Sequence, residues 1–319
     1  MLSILLRKTT LFISSIIVLL GLTFWFHVRV RNLGDSELLY ELFDYLQRIF
    51  TLDFGISNES GQLVLEMFVP AFIASMELVV ISILISAAIG IFLGAYSALH
   101  KDTIIDSILT NTSIFLSAIP VFWLAQILIS VISVYFDIIP SQHRISPLYD
   151  VPNVTGMILV DTLLISGKDG FSSFFNALVH FPLPVLALSI LPITEVIRIT
   201  RNSLYGVMRT NYIKLAFSRG YSPFYVITRH AIRNALPQMF QQSNTIIFLT
   251  FTSVIVVENA FNWPGIGTMI VEAIKNRDYN IVNIYLVFIG GLFILLNTAI
   301  EAMAEISQLF KVGGVKFHG

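Results

Sequence analysis

Six stretches of this sequence each run for twenty residues or more without one charged side chain, and that pattern confines the chain to a membrane. They are Thr9–Val28, Leu78–Leu99, Ser107–Phe136, Gly170–Thr194, Asn234–Val257 and Tyr279–Ile300. A helix rises about 1.5 Å per residue and a bilayer core is about 30 Å thick, so roughly 20 apolar residues make one span. Charges bracket every stretch: Lys8/Arg29, Glu77/Lys101, Asp106/Asp137, Asp169/Glu195, Arg233/Glu258 and Asp278/Glu301. The fifth opens with Asn234, Gln238, Gln241 and Gln242, so its membrane part is expected to start near Thr245. Charged residues make up 12% of the chain, half of the roughly 25% that a soluble surface needs. The expected fold is an all-α membrane protein of about six transmembrane helices. Arg7 and Lys8 ahead of the first run resemble a signal peptide, but no small-residue cleavage site follows, so a retained span is expected.

Six spans put both ends of the chain on one side. The segments on that side hold 12 Lys and Arg, against 7 on the other, although the opposite loops are longer. The positive-inside rule therefore places both termini in the cytoplasm. Fourteen of the 20 acidic residues fall outside, which reads as a solvated loop surface or a field that steers cationic solutes. Pro120, the group Pro182, Pro184 and Pro192, and the pair Gly290–Gly291 interrupt the spans. At membrane depth such breaks need protein or a water-filled cavity around them.

The energy source is expected on a partner. There is no phosphate-binding GxxxxGK[ST] loop, and Ser166-Gly167-Lys168-Asp169 lacks both its first Gly and its Ser/Thr. The absence of Cys removes thiolate chemistry, disulfides and Cys-based metal sites, and the six His residues are scattered. Glu77, Glu195, Glu258 and Glu301 sit at span edges, where a carboxylate is expected to reach the interface rather than relay protons.

The most informative segment is Glu195–Pro237. From Val196 to Val257 there is no Asp or Glu, yet seven Lys and Arg lie between Arg198 and Arg233. Asn211–Gly220 reads as a short helix stopped by Gly, with Tyr212, Leu215 and Ala216 on one apolar face and Gly220 at a left-handed C-terminal position. Ser222-Pro223 opens a second helix running to Leu236-Pro237. Two short helices meeting at a Gly turn on a basic loop suit a cytoplasmic partner's groove. An anionic lipid surface suits them too, and nucleic acid is a poor fit for a membrane-anchored loop.

Here the sequence resembles the inner-membrane permeases of bacterial ABC importers, of the dipeptide/oligopeptide/nickel class. Their coupling loop carries E-A-A, three residues, Gly, nine residues and I-x-L-P. This chain has Lys214-Leu215-Ala216 at the first place and Gly220 in register. It departs at the last, where Arg229-His230-Ala231-Ile232-Arg233-Asn234-Ala235-Leu236 is similar to the peptide-class version. Glu258-Asn259-Ala260-Phe261-Asn262-Trp263-Pro264-Gly265-Ile266-Gly267 resembles the class segment E-x-x-F-x-x-P-G-x-G, and Leu52-Asp53-Phe54-Gly55-Ile56-Ser57 resembles the outer segment of its B-type subunits. Ile119-Pro120-Val121-Phe122-Trp123-Leu124 fits as well, and Thr194–Arg198 with Phe261–Gly265 look closest to the Sap branch, linked to antimicrobial-peptide resistance.

The resemblance implies a type I importer permease fold with residues 1–71 as an N-terminal helix and periplasmic segment, 72–306 as the core, a coupling loop over about 203–238 and a tail over 307–319. It implies a homologous C-type permease, two cytoplasmic ATPase subunits and a periplasmic binding protein as partners. ATP and Mg would be held on the ATPases and no cofactor in this chain. The cargo would be a peptide, cationic ones included. Nickel, haem or a polyamine on the same architecture remains an alternative, as does an ion-coupled carrier acting alone. Coupling falls to Tyr212, Leu215, Ala216, Arg219, Gly220, Arg229, His230 and Arg233. A periplasmic mouth falls to Glu258, Trp263, Pro264, Gly265 and Asp278. Trp263–Ile274 is expected to be a Pro-Gly turn and a membrane-edge helix, with Trp263 in the interfacial belt and Met269, Ile270, Ala273 and Ile274 on one face.

Overall fold

The computed structural model describes residues 2–31, 38–165 and 167–312. Among these the chain is helical, and its β pairing is an isolated bridge between Ile56 and Leu63. Residues 313–319 of the expected tail, and Ser166, lie outside the described residues.

Among the described residues, five helices are long and apolar enough to cross a membrane: Lys8–Val30 of α1 (Leu2–Arg31), α3 (Val64–Leu99), α8 (Pro182–Met208), the run Pro223–Ala260, and Tyr279–Ile306 of α13 (Tyr279–Val312). A sixth is broken. Helix α4 (Ile104–Ser117) meets α5 (Val121–Leu128) and its π-helical continuation to Tyr135 at a bend of 97°. Pro120 lies at that bend in an extended conformation, with no N–H to continue the ladder of α4.

The fourth span is displaced from its expected place at Gly170–Thr194. Residues 168–180 form a separate helix, α7 (Lys168–His180), and the membrane-length helix starts at Pro182 and continues to Met208. Pro182 cannot donate to the α7 carbonyls, so α7 ends there and Pro182 opens α8. Glu195, Arg198 and Arg201 are thus interior residues of a long helix, not the start of a loop. Gly290–Gly291 does not interrupt α13.

The chain forms two compact units. The first holds Met1–Glu77, Gln142–Phe181 and Glu258–Thr298, and the second Leu78–Ser141, Pro182–Val257 and Ala299–Gly319.

Buried carboxyl groups organise the first unit. Both Glu77 oxygens accept backbone N–H groups opening α6 (Ile158–Leu164), from Leu159 at 3.0 Å and Ile158 at 3.1 Å, and Arg144 stands 3.8 Å away. Asp161 accepts from the Thr155 amide at 2.7 Å, the Thr155 hydroxyl at 2.6 Å and the Gly156 amide at 3.1 Å. Burial alone would raise the Asp161 pKa, but these bonds outweigh it and hold the carboxyl below its ordinary value. Burial also lowers the Arg144 pKa, against the opposing pull of Glu77 and Asp161.

In the second unit α3 and α8 pack backbone against backbone. A Cβ at Gly90 would overlap Val196, and one at Gly94 would overlap the Ile197 carbonyl and Thr200. Two glycines four residues apart are the small-residue pattern that lets membrane helices approach closely. Asp106 then ties α4 to both α3 and α8. Its oxygens accept Arg201 Nε at 2.6 Å, Arg201 Nη2 at 2.7 Å, the Ser97 hydroxyl at 2.5 Å and the Asp102 amide at 3.1 Å. The fork of a guanidinium matches both carboxylate oxygens at once, so this pair fixes orientation as well as charge.

Candidate coupling surface

The basic segment folds as local chemistry dictates. Helix α9 (Asn211–Ser218) ends as expected, with the Arg219 amide donating to the Leu215 carbonyl and the Gly220 amide to that of Phe217. Gly220 takes φ +82°, and a Cβ there would meet nothing within 4 Å. The demand for glycine is therefore conformational and not steric. Ser222 caps the next helix by accepting the Tyr225 amide, with Pro223 in its first turn.

Two expectations change. The second helix does not stop at Leu236-Pro237: α10 (Pro223–Tyr225) passes through a π-helical turn at Val226–Ala231 into α11 (Ile232–Ala260), with Pro237 inside it. The segment between the two membrane-length helical runs is therefore short, from Met208 to Ser222, and α9 fills most of it. The buried face of α9 is also different. Ile213 and Ala216 point into a core of Ala98, Leu204, Val226, Ile227, Ala231 and Ala235. Tyr212 and Leu215 face away, each about half exposed. Ile213 is fully buried, which is worth about 1.5–3 kcal/mol and anchors the helix.

What remains outside is a ridge of large apolar and aromatic groups. Leu215 is 52% exposed, with Tyr212, Phe217, Tyr221 and Tyr225 also open; Phe224 is exposed too but lines an apolar groove with Ile91, Phe92 and Leu99 of α3. His230 ties part of the ridge together: its Nδ1 is hydrogen-bonded to the Tyr212 hydroxyl, and its ring lies 5.7 Å from that of Tyr225. Arg219, Arg229 and Arg233 are exposed on the same stretch of chain. The structure thus brings Tyr212, Leu215, Arg219, Gly220, Arg229 and His230 to one anchored turn, and Ala216 to its core.

The residues expected at a periplasmic mouth are placed otherwise. Glu258, Trp263 and Asp278 have no exposed surface. Glu258 accepts the Ser75 hydroxyl at 2.5 Å and the Gly267 amide at 2.6 Å, and a Cβ at Gly265 would overlap its carboxyl group. Trp263 is not in an interfacial belt: its indole N–H donates to the Ala74 carbonyl at 3.1 Å and its ring meets Phe181 edge to face. Asp278 accepts the Ser57 hydroxyl at 2.6 Å and the Asn58 amide at 2.9 Å. Pro264 is exposed. Glu258, Trp263 and Asp278 form interior clasps in place of a solute-facing rim, with Gly265 packed against the Glu258 carboxyl. The helix expected after Trp263 is present as α12 (Ile266–Lys275), with Ile270 and Ala273 buried and Ile274 turned outward. Sequence reasoning missed Ser75, Ser97, Asp106 and Arg201. Their one sequence signal is that Asp106 and Arg201 are ionisable groups beside apolar runs.

Residues 90–308 match the family described as binding-protein-dependent transport system inner membrane component. The chain belongs to this family. It is 32% identical over 259 residues to the peptide transport system permease protein SapB of Salmonella typhimurium, covering 81% of each chain. With the same coverage it is 31% identical to the putrescine export system permease protein SapB of Escherichia coli K12. It is 30% identical over 272 residues to the dipeptide transport system permease protein DppB of Escherichia coli K12, covering 84% of this chain and 79% of the relative. The matched segment of the permease contains the whole of the α9 turn and the ridge around it.

Proposed function

We propose that this permease carries peptides across the bacterial inner membrane, paired with a homologous C-type permease, two cytoplasmic ATPase subunits and a periplasmic binding protein. The Sap-branch likeness extends the cargo to cationic peptides. ATP and Mg belong to the partner ATPases, and both termini are cytoplasmic. The observation that carries this reading is the α9 turn. Ile213, Ala216, Val226, Ile227 and Ala231 are buried, while Tyr212, Leu215, Phe217, Tyr221 and Tyr225 stand exposed on the same short segment. An apolar aromatic cluster with an arginine rim is the composition of a protein-binding hot spot. The anchored base lets a push on the ridge pass into α8 and α11, two of the membrane-length helices.

Reconstitution with the partner subunits tests the reading. Tyr212→Ala with Leu215→Ala is expected to leave insertion intact, to lower ATPase co-purification and to abolish peptide-stimulated ATP hydrolysis. Uptake of peptide by vesicles that contain this chain without ATPases would instead support an ion-coupled carrier. Stimulation by a polyamine and not by peptides would move the cargo to the alternative class.

A further inference from the structure

Helix α2 (Leu38–Phe50) plays no part in the coupling account, and its faces are unusually well separated. Projected at about 100° per residue, its exposed side chains Leu39, Phe50, Phe43, Gln47 and Tyr40 fall within one arc of about 100°. Four of the five are large and apolar, and Phe50 is 81% exposed. A second arc, with Leu38, Tyr45, Ile49, Leu42 and Leu46, is turned toward the protein. The remaining strip is polar: Glu41, Asp44 and Arg48, with the last two ion-paired at 2.7 Å.

The packed arc fixes where the helix sits. Tyr45 is buried against Phe24 and His27, near the end of α1, with ring centroids 5.6 and 4.9 Å away. Its hydroxyl donates to Asn283 in the first turns of α13 at 3.0 Å. Helix α2 is therefore docked at the ends of two membrane-length helices. The rest of α1 is open along Leu11, Ile13, Ile17, Val18, Leu22 and Trp25, side chains that hydrocarbon covers favourably if α1 crosses the bilayer. Tyr45 meets α1 at Phe24 and His27, beside Trp25 at the end of that open run.

We propose that α2 is an interfacial anchor, lying along the membrane surface with Leu39, Tyr40, Phe43 and Phe50 sunk among headgroups and upper acyl chains. The three arcs then have three environments: protein for Tyr45 and Ile49, lipid for Phe43 and Phe50, water for Glu41, Asp44 and Arg48. Phenylalanine and leucine gathered on one face, with charge on another, is the pattern of helices that lie in the interface plane. No lysine lies on the helix and its one arginine is ion-paired, so the attraction is apolar insertion, not charge on anionic lipid. The anchor would hold the following segment at the membrane surface, where the Ile56 carbonyl accepts from Asn280 at 2.9 Å and Phe54 meets Phe288.

The inference rests on α1 being a span and is independent of cargo and of ATPase coupling. The chain has no Cys, so Leu39→Cys, Phe43→Cys and Asp44→Cys each give one labelling site in the full-length protein. Each variant, purified with the subunits that accompany it, is labelled with an environment-sensitive fluorophore and reconstituted into phosphatidylethanolamine/phosphatidylglycerol vesicles. Labels at 39 and 43 are expected to be quenched by lipid carrying a shallow spin label and protected from aqueous iodide, with blue-shifted emission. The label at 44 is expected to show the reverse. Iodide quenching at 39 and 43 equal to that at 44 overturns the proposal. So does protection of 39 and 43 from both quenchers, which would mean that a protein partner covers the face.

Discussion

Replacing Gly265 with Ala tests whether Glu258 is an interior clasp. Gly265 has an extended backbone (φ −106°, ψ −178°) that any residue adopts, so the substitution carries no conformational penalty. The cost is steric and polar. The added methyl would overlap the Glu258 carboxyl, whose two oxygens are already tied to Ser75 and the Gly267 amide. Overpacking of this kind costs about 1–3 kcal/mol. If Glu258 swings away instead, each buried group left unpaired costs about 1–3 kcal/mol. The overpacked route puts the loss at about 1–3 kcal/mol, and the displaced carboxyl, which leaves both Ser75 and the Gly267 amide unpaired, at about 2–6 kcal/mol. The assay is a double-mutant cycle on thermal unfolding of the detergent-solubilised protein, with Gly265→Ala made in the native and Glu258→Ala backgrounds. Removing the carboxyl opens the space, so the second Gly265→Ala step should cost about 1 kcal/mol or less, a strong non-additivity. Equal losses in both backgrounds would refute the reasoning, because the methyl would then be colliding with something other than Glu258.

Three further outcomes are expected. Arg201→Ala strands the Asp106 carboxylate and should lower stability by about 3–5 kcal/mol, and Arg201→Lys should recover only part of it because an ammonium cannot match both oxygens; thermal unfolding of the three proteins checks the order. Asp161 has a folded pKa below its unfolded value of about 3.9, so its contribution is fully present above that value and is lost as pH falls through the folded pKa. The stability advantage of the native protein over Asp161→Asn should hold at neutral pH and shrink in acid, read from unfolding midpoints across pH. Gly220→Val meets open space but a left-handed backbone, a strain of about 1–3 kcal/mol; membrane levels should be normal while substrate-stimulated ATP hydrolysis falls sharply, measured on one preparation.

The parts of the fold legible in the sequence are those set by local runs of residues. Thr9–Val28, Leu78–Leu99 and Tyr279–Ile300 all lie inside observed helices, and Pro120 marks the observed bend. The fourth span lies C-terminal to its expected place because Glu195, Arg198 and Arg201 look like a membrane boundary. In the structure Arg201 is neutralised by Asp106, ninety-five residues away, which a charge count along the chain cannot register. Gly220 and Ser222-Pro223 announce their turn and cap through their own backbone chemistry. The buried face of α9 does not follow from pattern, since eight residues with Tyr212, Ile213, Leu215 and Phe217 have apolar groups on every side. Glu258 and Asp278 look like surface acids in the sequence because Ser75 and Ser57 lie 183 and 221 residues away along the chain.

The central claim, that the ridge on α9 docks the ATPases, is tested most directly by cross-linking from one position. In the cysteine-free chain, Leu215→Cys carries a short photoactivatable cross-linker on an outward-facing side chain, and Ile213→Cys carries the same group toward the core. In the assembled transporter the account predicts a strong adduct between position 215 and an ATPase subunit, and little from position 213. Adducts from position 215 to lipid alone, or to a periplasmic protein, would contradict it.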